Sequence, residues 1–315
     1  VEGVGPRYCP SIEDKIVRFG EKERHQLFLE PETSSIGRIY VNGFSSSLPA
    51  DIQLAALHTI PGLSRARVCQ IGYAVEYDSV DATFLFPTLE SKTIPGLYFA
   101  GQVCGTSGYE EAAGQGLMAG INAVRKIQGK DPLVLKRNES YIGLMIDDLV
   151  TKGTNEPYRL LTSRAEFRLL LRSDNADLRL SHKAYEVGLL SEERFNKLTQ
   201  KEEEIEKLEE EIKLITFPQE KCNLSEYLKR PEVRIIDYLD KLCKEYDKEV
   251  LEQVEINHKY EGYISKAKKE AEKMIKLGQK EIPVDIDYKK VFKSMKTLPA
   301  KLKERIELSC DEKKT

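Results

Sequence analysis

The sequence holds little that would tie it to a membrane, a metal or an oxidising compartment. Its longest unbroken apolar runs are only a few residues, such as Leu169 to Leu171, where a spanning helix needs about 20. No secretory or transit segment opens it. Cysteines stand at 9, 69, 104, 222, 243 and 310 without any C-x-x-C pair, and the four histidines (25, 58, 182, 258) are scattered. That spacing supports neither a metal site nor a disulfide framework, so reduced thiols in a cytoplasmic protein are expected. A large charge of one sign is missing too: 49 Lys+Arg face 52 Asp+Glu, a formal net charge of −3. A wholesale polycation is excluded, while a local basic face is not. There is no internal repeat of fixed period. An initiator Met is also lacking, and the opening Val1-Glu2-Gly3 leads to the expectation of a piece of a longer protein. The 315 residues present suffice for about two domains.

Glycine and charge are segregated along the chain. Residues 1–150 hold 16 of the 20 glycines and 32 charged side chains, and residues 151–315 hold 4 glycines and 69 charges. Glycine gathers where backbone turns tightly or approaches a ligand, whereas dense mixed charge suits helices with solvated faces. The expected fold class is therefore α/β followed by all-α, with domains at 1–130 and 131–315. In the first part, residues 26–30, 38–41 and 74–77 read as strands, and 51–59 as a helix closed by Pro61-Gly62. A short buried strand is expected over Leu97 to Ala100, running into Gly101, followed by a long helix from Tyr109 to Gly129. In the second part, Ser163-Arg164-Ala165-Glu166 has capping-box spacing and predicts a helix carrying Phe167 to Leu171. Ser191 caps another predicted helix, in which Leu198, Ile205, Leu208, Ile212 and Ile215 recur at core spacing. Further helices are predicted over 232–246, 247–277 and 299–309.

Three segments could carry chemistry. The first runs from Gly101 to Gly120, where a strand end feeds a helix whose N-terminal amides carry partial positive charge. Ala112, Ala113, Gly116, Ala119, Gly120 and Ala123 give that helix a smooth face. Such an end suits the negative charge that a reduced flavin carries on its pyrimidine side, while small residues equally suit tight helix packing. The second is Gly5 to Lys15, where Arg7 stands two residues from Cys9 and would favour its thiolate. The third, Lys152 to Lys183, carries seven basic residues against four acidic ones. On a helix, Arg164, Arg168 and Arg172 would form one stripe able to grip successive phosphates; a solvated surface is the plain alternative.

With these segments together, the chain resembles the MnmG/GidA family, the FAD-dependent large subunit of the bacterial tRNA uridine 5-carboxymethylaminomethyl modification enzyme. The resemblance rests on GPRYCPSIEDK at 5–15, GLYFAGQVCGTSGYEEAAGQGLMAGINA at 96–123, LTSRAEFRLLLRSDNADLRL at 161–180 and KYEGYI at 259–264. It implies a glutathione-reductase-like FAD/NAD(P)-binding domain, here its C-terminal remnant, followed by a helical C-terminal domain. It also implies modification of carbon 5 of the wobble uridine, using FAD, NADH and methylenetetrahydrofolate as one-carbon donor. The tRNA anticodon loop, a GTPase subunit and a second copy in a homodimer would be the partners, and no membrane.

The resemblance assigns roles residue by residue. Cys9 would be one of two catalytic cysteines. Gly5, Pro6, Arg7, Tyr8, Cys9, Pro10, Ser11, Ile12, Glu13, Asp14, Lys15, Ile16, Val17, Arg18 and Phe19 would belong to the NADH-binding region, and Gly101 and Gln102 to the FAD contact. Arg159, Arg164, Arg168, Arg172 and Arg179 would bind tRNA phosphates. The family's N-terminal G-x-G-x-x-G loop and its other catalytic cysteine are absent from this sequence, so the piece by itself is expected to be inactive. Two other readings compete: a tRNA-binding or partner-docking module without catalysis, and a relative of the folate- and FAD-dependent tRNA 5-methyluridine methyltransferase.

Overall fold

The structure, a computed structural model, describes residues 11–35, 37–73 and 78–278. Gly5 to Pro10, the expected strand at 74–77 and the expected helix at 299–309 lie outside the described residues. The chain divides into two compact units, Val1–Ala267 and Lys268–Thr315.

The first unit opens with helix α1 (Ile12–Arg18), whose N-cap Ser11 accepts from the Asp14 amide. Strands β1 (Phe28–Pro31) and β2 (Ile39–Asn42) pair antiparallel, Phe28 opposite Asn42 and Pro31 opposite Ile39. Helix α2 (Ala50–His58) follows. The expected buried strand at Leu97 to Ala100 is corrected: Tyr98 forms a single antiparallel bridge with Glu90. The bridge is flanked by bonds from the Phe99 amide to the Leu89 carbonyl at 3.0 Å and from the Ser91 amide to the Leu97 carbonyl at 2.8 Å, and the chain turns at Leu89, which is fully buried with φ 68°.

Helix α3 (Tyr109–Ile127) starts at Gly108 with Glu110 and Glu111 in its first turn and Arg125 and Lys126 in its last, which complements the helix dipole at both ends. Helix α4 (Tyr141–Lys152) is capped by Ser140, whose hydroxyl accepts from the Gly143 amide at 2.8 Å. A Cβ at Gly143 would stand 2.5 Å from the carbonyl oxygens of Leu135 and Lys136, so only glycine lets the incoming chain pass there. The two helices share one core, in which Met118 and Ala119 of α3 meet Met145, Ile146 and Leu149 of α4, with Leu85, Leu89, Cys104 and Tyr158 closing it.

Beyond α4 the expected helix over Phe167 to Leu171 is absent. Thr162–Arg164 makes one 3₁₀ turn, Ala165 is extended, and Leu170 and Leu171 both donate to the Phe167 carbonyl in a tight turn. The would-be capping-box Glu166 does not reach back to the Ser163 amide; it accepts instead from Arg137 Nη2 at 2.6 Å. A charge-assisted tertiary bond has displaced a local cap.

Helices α5 (Ala176–Glu186) and α6 (Glu192–Leu214) come next, the latter capped by Ser191. A two-stranded hairpin, β3 (Thr216–Phe217) with β4 (Cys222–Asn223), leads into the short helix α7 (Leu224–Tyr227). Helices α8 (Lys248–Lys259) and α9 (Glu261–Gly278) end the described chain. Leu208 and Ile212 of α6, Leu224 of α7 and Val250, Leu251 and Val254 of α8 form a second core, together with Leu228, Val233 and Ile235. The predicted helix at 232–246 is only a kinked 3₁₀ segment, Ile235–Lys241. Its break falls at Tyr238, whose ring packs edge-on to Phe217 and Tyr227, a cluster that a regular helix would pull apart. The predicted helix at 247–277 is likewise two, because Tyr260 leaves helical geometry (φ −107°, ψ 12°).

Candidate functional site

The turn between Ala100 and α3 is built from glycine and held by buried amides. Gly101 adopts φ 90°, Gln102–Cys104 form a 3₁₀ turn, and Gly105 closes it in the left-handed region at φ 78°. Three bonds lock this path in a closed ring. The Gly101 amide donates to Gln115 Oε1 at 3.0 Å, Gln115 Nε2 donates to Thr106 Oγ1 at 3.1 Å, and the Thr106 hydroxyl donates to the Gly101 carbonyl at 3.0 Å. Gln115 is fully buried and Thr106 nearly so. An interior amide with its bonds satisfied fixes a unique geometry, because any other path strands a buried donor.

That geometry leaves Gln102 and Tyr109 facing solvent, Tyr109 at 94% exposure. The N-cap Gly108 offers no side-chain cap, so the first amides of a 19-residue helix meet no capping side chain. Of the small residues, Ala113, Gly116 and Gly120 lie on the exposed face of α3, while Ala119 is buried in the core. Cys104 is fully buried, and burial pushes its thiol up to about 11, which makes it an inert core side chain.

The second element is stitched directly to this turn. Thr106 bridges Tyr158 in parallel, Tyr158 N donates to the Gly105 carbonyl at 2.8 Å, and Ser107 N donates to the Tyr158 carbonyl at 3.0 Å. Glu111, 2% exposed, accepts from the Leu160 amide at 2.7 Å and from Arg159 Nη1 at 3.3 Å. The Arg164 guanidinium stacks 4.4 Å above the Tyr158 ring, and its Nε donates to the Arg159 carbonyl at 2.9 Å.

A third layer fixes Tyr158 from below. Its hydroxyl donates to Asp148 Oδ2 at 3.0 Å, and Asp148 Oδ1 accepts from Arg137 Nη1 at 2.7 Å and Lys152 Nζ at 2.6 Å. Burial works to raise the Asp148 carboxyl, but the bonds from Lys152 and Arg137 outweigh it and hold the group below the usual carboxylate range. The Tyr158 hydroxyl is pushed up by burial and by the Asp148 charge.

The expected site residues fall into distinct environments. Because residues 164–172 are not helical, Arg164, Arg168 and Arg172 do not form the predicted stripe. Arg168 is exposed, Arg159 is 30% exposed, and Arg164 lies half-buried on its ring. Arg172 is engaged by Asp174 Oδ2 at 3.1 Å and the Leu169 carbonyl at 2.7 Å. Arg179 bonds Asn175 Oδ1 at 2.8 Å, the Arg172 carbonyl at 2.9 Å and the Glu139 carbonyl. Burial and the Arg172 charge lower its ordinarily high value. Of residues 5–19, the described part forms α1 and its flanks. There Glu13 accepts from the Ser46 hydroxyl at 2.7 Å, Lys15 donates to the Gly43 carbonyl at 2.8 Å, and Ile16, Val17 and Phe19 are exposed. Cys9 lies outside the described residues.

Sequence reasoning missed Arg137, Asp148, Tyr158, Glu111 and Gln115. One signal was present: Glu111, Gln115 and Asn122 recur at four- and seven-residue spacing on the same side of α3 as Met118 and Ala119, and all five are buried. Polar side chains on an apolar stripe must find partners inside the fold.

Comparison with known proteins gives consistent matches along the chain. Residues 1–131 match the family model described as glucose inhibited division protein A, and residues 192–268 match that of the tRNA modifying enzyme MnmG/GidA C-terminal helical domain. The "tRNA uridine 5-carboxymethylaminomethyl modification enzyme MnmG" of Geobacillus kaustophilus is 51% identical over 308 residues, covering 91% of this chain and 49% of that protein. The protein of the same name from Enterococcus faecalis is 53% identical over 311 residues, covering 92% and 49%. The solved structure of Aquifex aeolicus GidA superposes with a TM-score of 0.72 at 48% identity, over 96% of this chain and 50% of that one. The chain thus spans about half the length of the relatives it matches. With both family models matched on separate stretches and a 51% identical alignment spanning 91% of its length, the chain belongs to the MnmG/GidA family.

Proposed function

We propose that this chain serves in the modification of carbon 5 of the wobble uridine in tRNA, adding a carboxymethylaminomethyl or aminomethyl group with FAD and NADH. The observation that carries the reading is the union of two elements in one hydrogen-bonded unit: a glycine turn at an uncapped helix end, and an arginine-bearing segment stitched to it through Tyr158 and Leu160. The relatives that match nine-tenths of the chain at about half identity are named as enzymes of this modification.

The residues present fit the pyrimidine side of a flavin. Gly101 and Gln102 would hold it, Gly101 because its φ of 90° favours a residue without a side chain and leaves bare backbone at the turn, Gln102 because it faces solvent beside the helix end. The first amides of α3 favour negative charge at that place. Flavin, when bound, supplies electrons for the one-carbon transfer. The NADH assignment of residues 5–19, methylenetetrahydrofolate as donor, the GTPase subunit and the homodimer rest on the family resemblance.

Arg159, Arg164 and Arg168 are proposed to meet tRNA phosphates, positioning the anticodon loop without reading its sequence. Arg172 and Arg179 act one step back: their bonds to backbone carbonyls shape the segment that presents the other three. Cys9 is proposed as a catalytic thiolate. Adding to carbon 6 of uracil, it would turn carbon 5 into an enolate carbon able to attack the one-carbon unit; loss of the carbon 5 proton then expels the thiolate.

The test uses the whole protein that contains this sequence. Purified with tRNA and FAD, it should show a flavin absorbance band and bind tRNA with a salt-dependent affinity. Arg168→Glu should weaken that binding and lower the salt slope by about 0.7–0.9, the value of one phosphate contact. Nucleoside analysis of tRNA from cells carrying Cys9→Ser should lack the modified uridine. An unchanged salt slope removes Arg168 from the interface, and normal wobble nucleosides remove Cys9 from the chemistry.

A further inference from the structure

Among the arginines of residues 159–179, Arg164 differs in what holds it. Arg159 meets the carboxylates of Glu110 and Glu111, and Arg172 meets that of Asp174. Arg179 is spent on Asn175 Oδ1 and two backbone carbonyls. Arg164 rests on groups without charge: the face of the Tyr158 ring, 4.4 Å from its centroid, and the Arg159 carbonyl, which accepts from Nε at 2.9 Å. Its charge is therefore fixed in place by neutral groups and left uncompensated. With one face on the ring and Nε engaged, the parallel N–H bonds of Nη1 and Nη2 remain, and among the described residues no hydrogen bond or ion pair takes either nitrogen.

The platform beneath is rigid. Tyr158 is 3% exposed, its hydroxyl donates to Asp148 Oδ2 at 3.0 Å, and its backbone is bonded to Gly105 and Ser107. The chain is pinned beyond Arg164 as well: Ala165 and Phe167 are buried, and Glu166 accepts from Arg137 Nη2 at 2.6 Å. A hydroxyl that donates to a carboxylate also enriches its ring in electrons, which strengthens the face turned to the cation.

We propose that Arg164 is a pre-formed fork that takes one RNA phosphate through Nη1 and Nη2, and that Tyr158 is the positioning residue that aims it. The proposal rests on the reading given under Proposed function. A planar fork matches two phosphate oxygens at once, which a lysine ammonium cannot do. A long side chain ordinarily loses rotamer freedom when it meets a phosphate. Here the ring and the carbonyl have already removed that freedom, so the contact forms at a lower entropic cost. The ligand is a phosphate rather than a carboxylate of a protein partner, because Arg168 stands exposed on the same segment and adds a second charge, which suits a polyanion.

The experiment measures tRNA affinity by filter binding, using the whole protein that contains this sequence. Arg164→Lys keeps the charge and loses the fork; binding should weaken about tenfold, and at least that far for Arg164→Gln. Tyr158→Leu should weaken it about fivefold. The two losses should not multiply: once Arg164→Lys is present, Tyr158→Leu should cost less than about twofold, because Tyr158 acts only through the fork. A merely structural Tyr158 would give the same factor in both backgrounds. Should Tyr158→Leu alter the far-UV circular dichroism, trifluorophenylalanine in place of Tyr158 is used instead, compared with Tyr158→Phe. That ring keeps its shape and loses the electron density under the guanidinium, and the same pattern is expected. An Arg164→Lys protein that binds like the unsubstituted one, or losses that multiply in the double variant, overturns the proposal alone. Undiminished binding by Arg164→Gln does so too, and would leave the fork to an acidic peptide. Failure of the unsubstituted protein to bind tRNA overturns the functional reading and the proposal with it.

Discussion

Two adjacent carboxylates on α4 provide a test of what burial does to the worth of an ion pair. Asp147 and Asp148 both bond Arg137 Nη1, at 2.8 and 2.7 Å, but the Asp147 side chain is 41% exposed and that of Asp148 only 4%. Replacing Asp147 with Ala removes a solvent-screened contact, and Arg137 keeps Asp148 and Glu166; the expected cost is below about 1 kcal/mol. Replacing Asp148 with Ala strands the Tyr158 hydroxyl, whose residue is 3% exposed, which costs about 1–3 kcal/mol. It also takes from Arg137 its one buried counter-charge, and the total should approach about 3 kcal/mol, the lower end for breaking a buried pair. With an m-value of about 3 kcal/mol/M in urea for a chain of this size, the midpoint falls by about 1 M for Asp148→Ala and by under about 0.3 M for Asp147→Ala. Tyr158→Phe combined with Asp148→Ala should cost less than the sum of the two, because the orphaned hydroxyl is then gone. The pH dependence has a definite sign. The folded Asp148 carboxyl lies below its unfolded value, so its contribution is present above the unfolded value of about 3.9 and is lost as pH falls through the folded one. The gap between the unsubstituted chain and Asp148→Ala should therefore narrow on acidification. Equal losses for the two Ala variants, or a gap that widens in acid, would refute the reasoning.

Two further outcomes follow from local geometry. Gly105→Ala forces a Cβ into a left-handed turn at φ 78°, 2.7 Å from Thr154 Oγ1, and should lower stability by about 2 kcal/mol in urea unfolding. Gly116→Ala, on the exposed face of α3 with nothing within 4 Å, should instead raise it by about 0.5–1 kcal/mol. Among the four described cysteines, iodoacetamide at pH 8 should label exposed Cys69 first, and Cys243 more slowly because the Glu211 carboxylate beside it raises its thiol. Cys104 should label last and only on unfolding, with mass spectrometry of the digested protein as the readout.

The elements that were legible in the sequence are those whose causes lie within one turn of chain. Ser191 and the Lys/Glu pairs behind it specify α6, and Gly108 with Glu110 and Glu111 specifies the start of α3; the structure places both helices there. The ribbon of β1 and β2 was legible to within two residues for the same reason. What failed had its cause far away in sequence. Ser163 to Glu166 carries the spacing of a cap, yet Arg137, 29 residues earlier, takes the Glu166 carboxylate. The rings of residues 217, 227 and 238 gather where the helix predicted over 232–246 gives way to a kinked 3₁₀ segment. The candidate site was half legible on the same principle. Its backbone is written in glycines, which a reader can see, because Gly101 and Gly105 need positive φ where they stand. Its rigidity comes from Gln115, Glu111, Asp148 and Arg137, polar residues that look like surface until their partners are known. The arginines show the consequence most plainly. In the sequence the five look alike, three of them at helical spacing; in the fold, Arg172 and Arg179 are tied to carbonyls and Arg168 faces solvent. Which guanidinium is free for a phosphate is decided by which acceptors the rest of the chain brings within 3 Å of it, and no window of sequence around an arginine contains those acceptors.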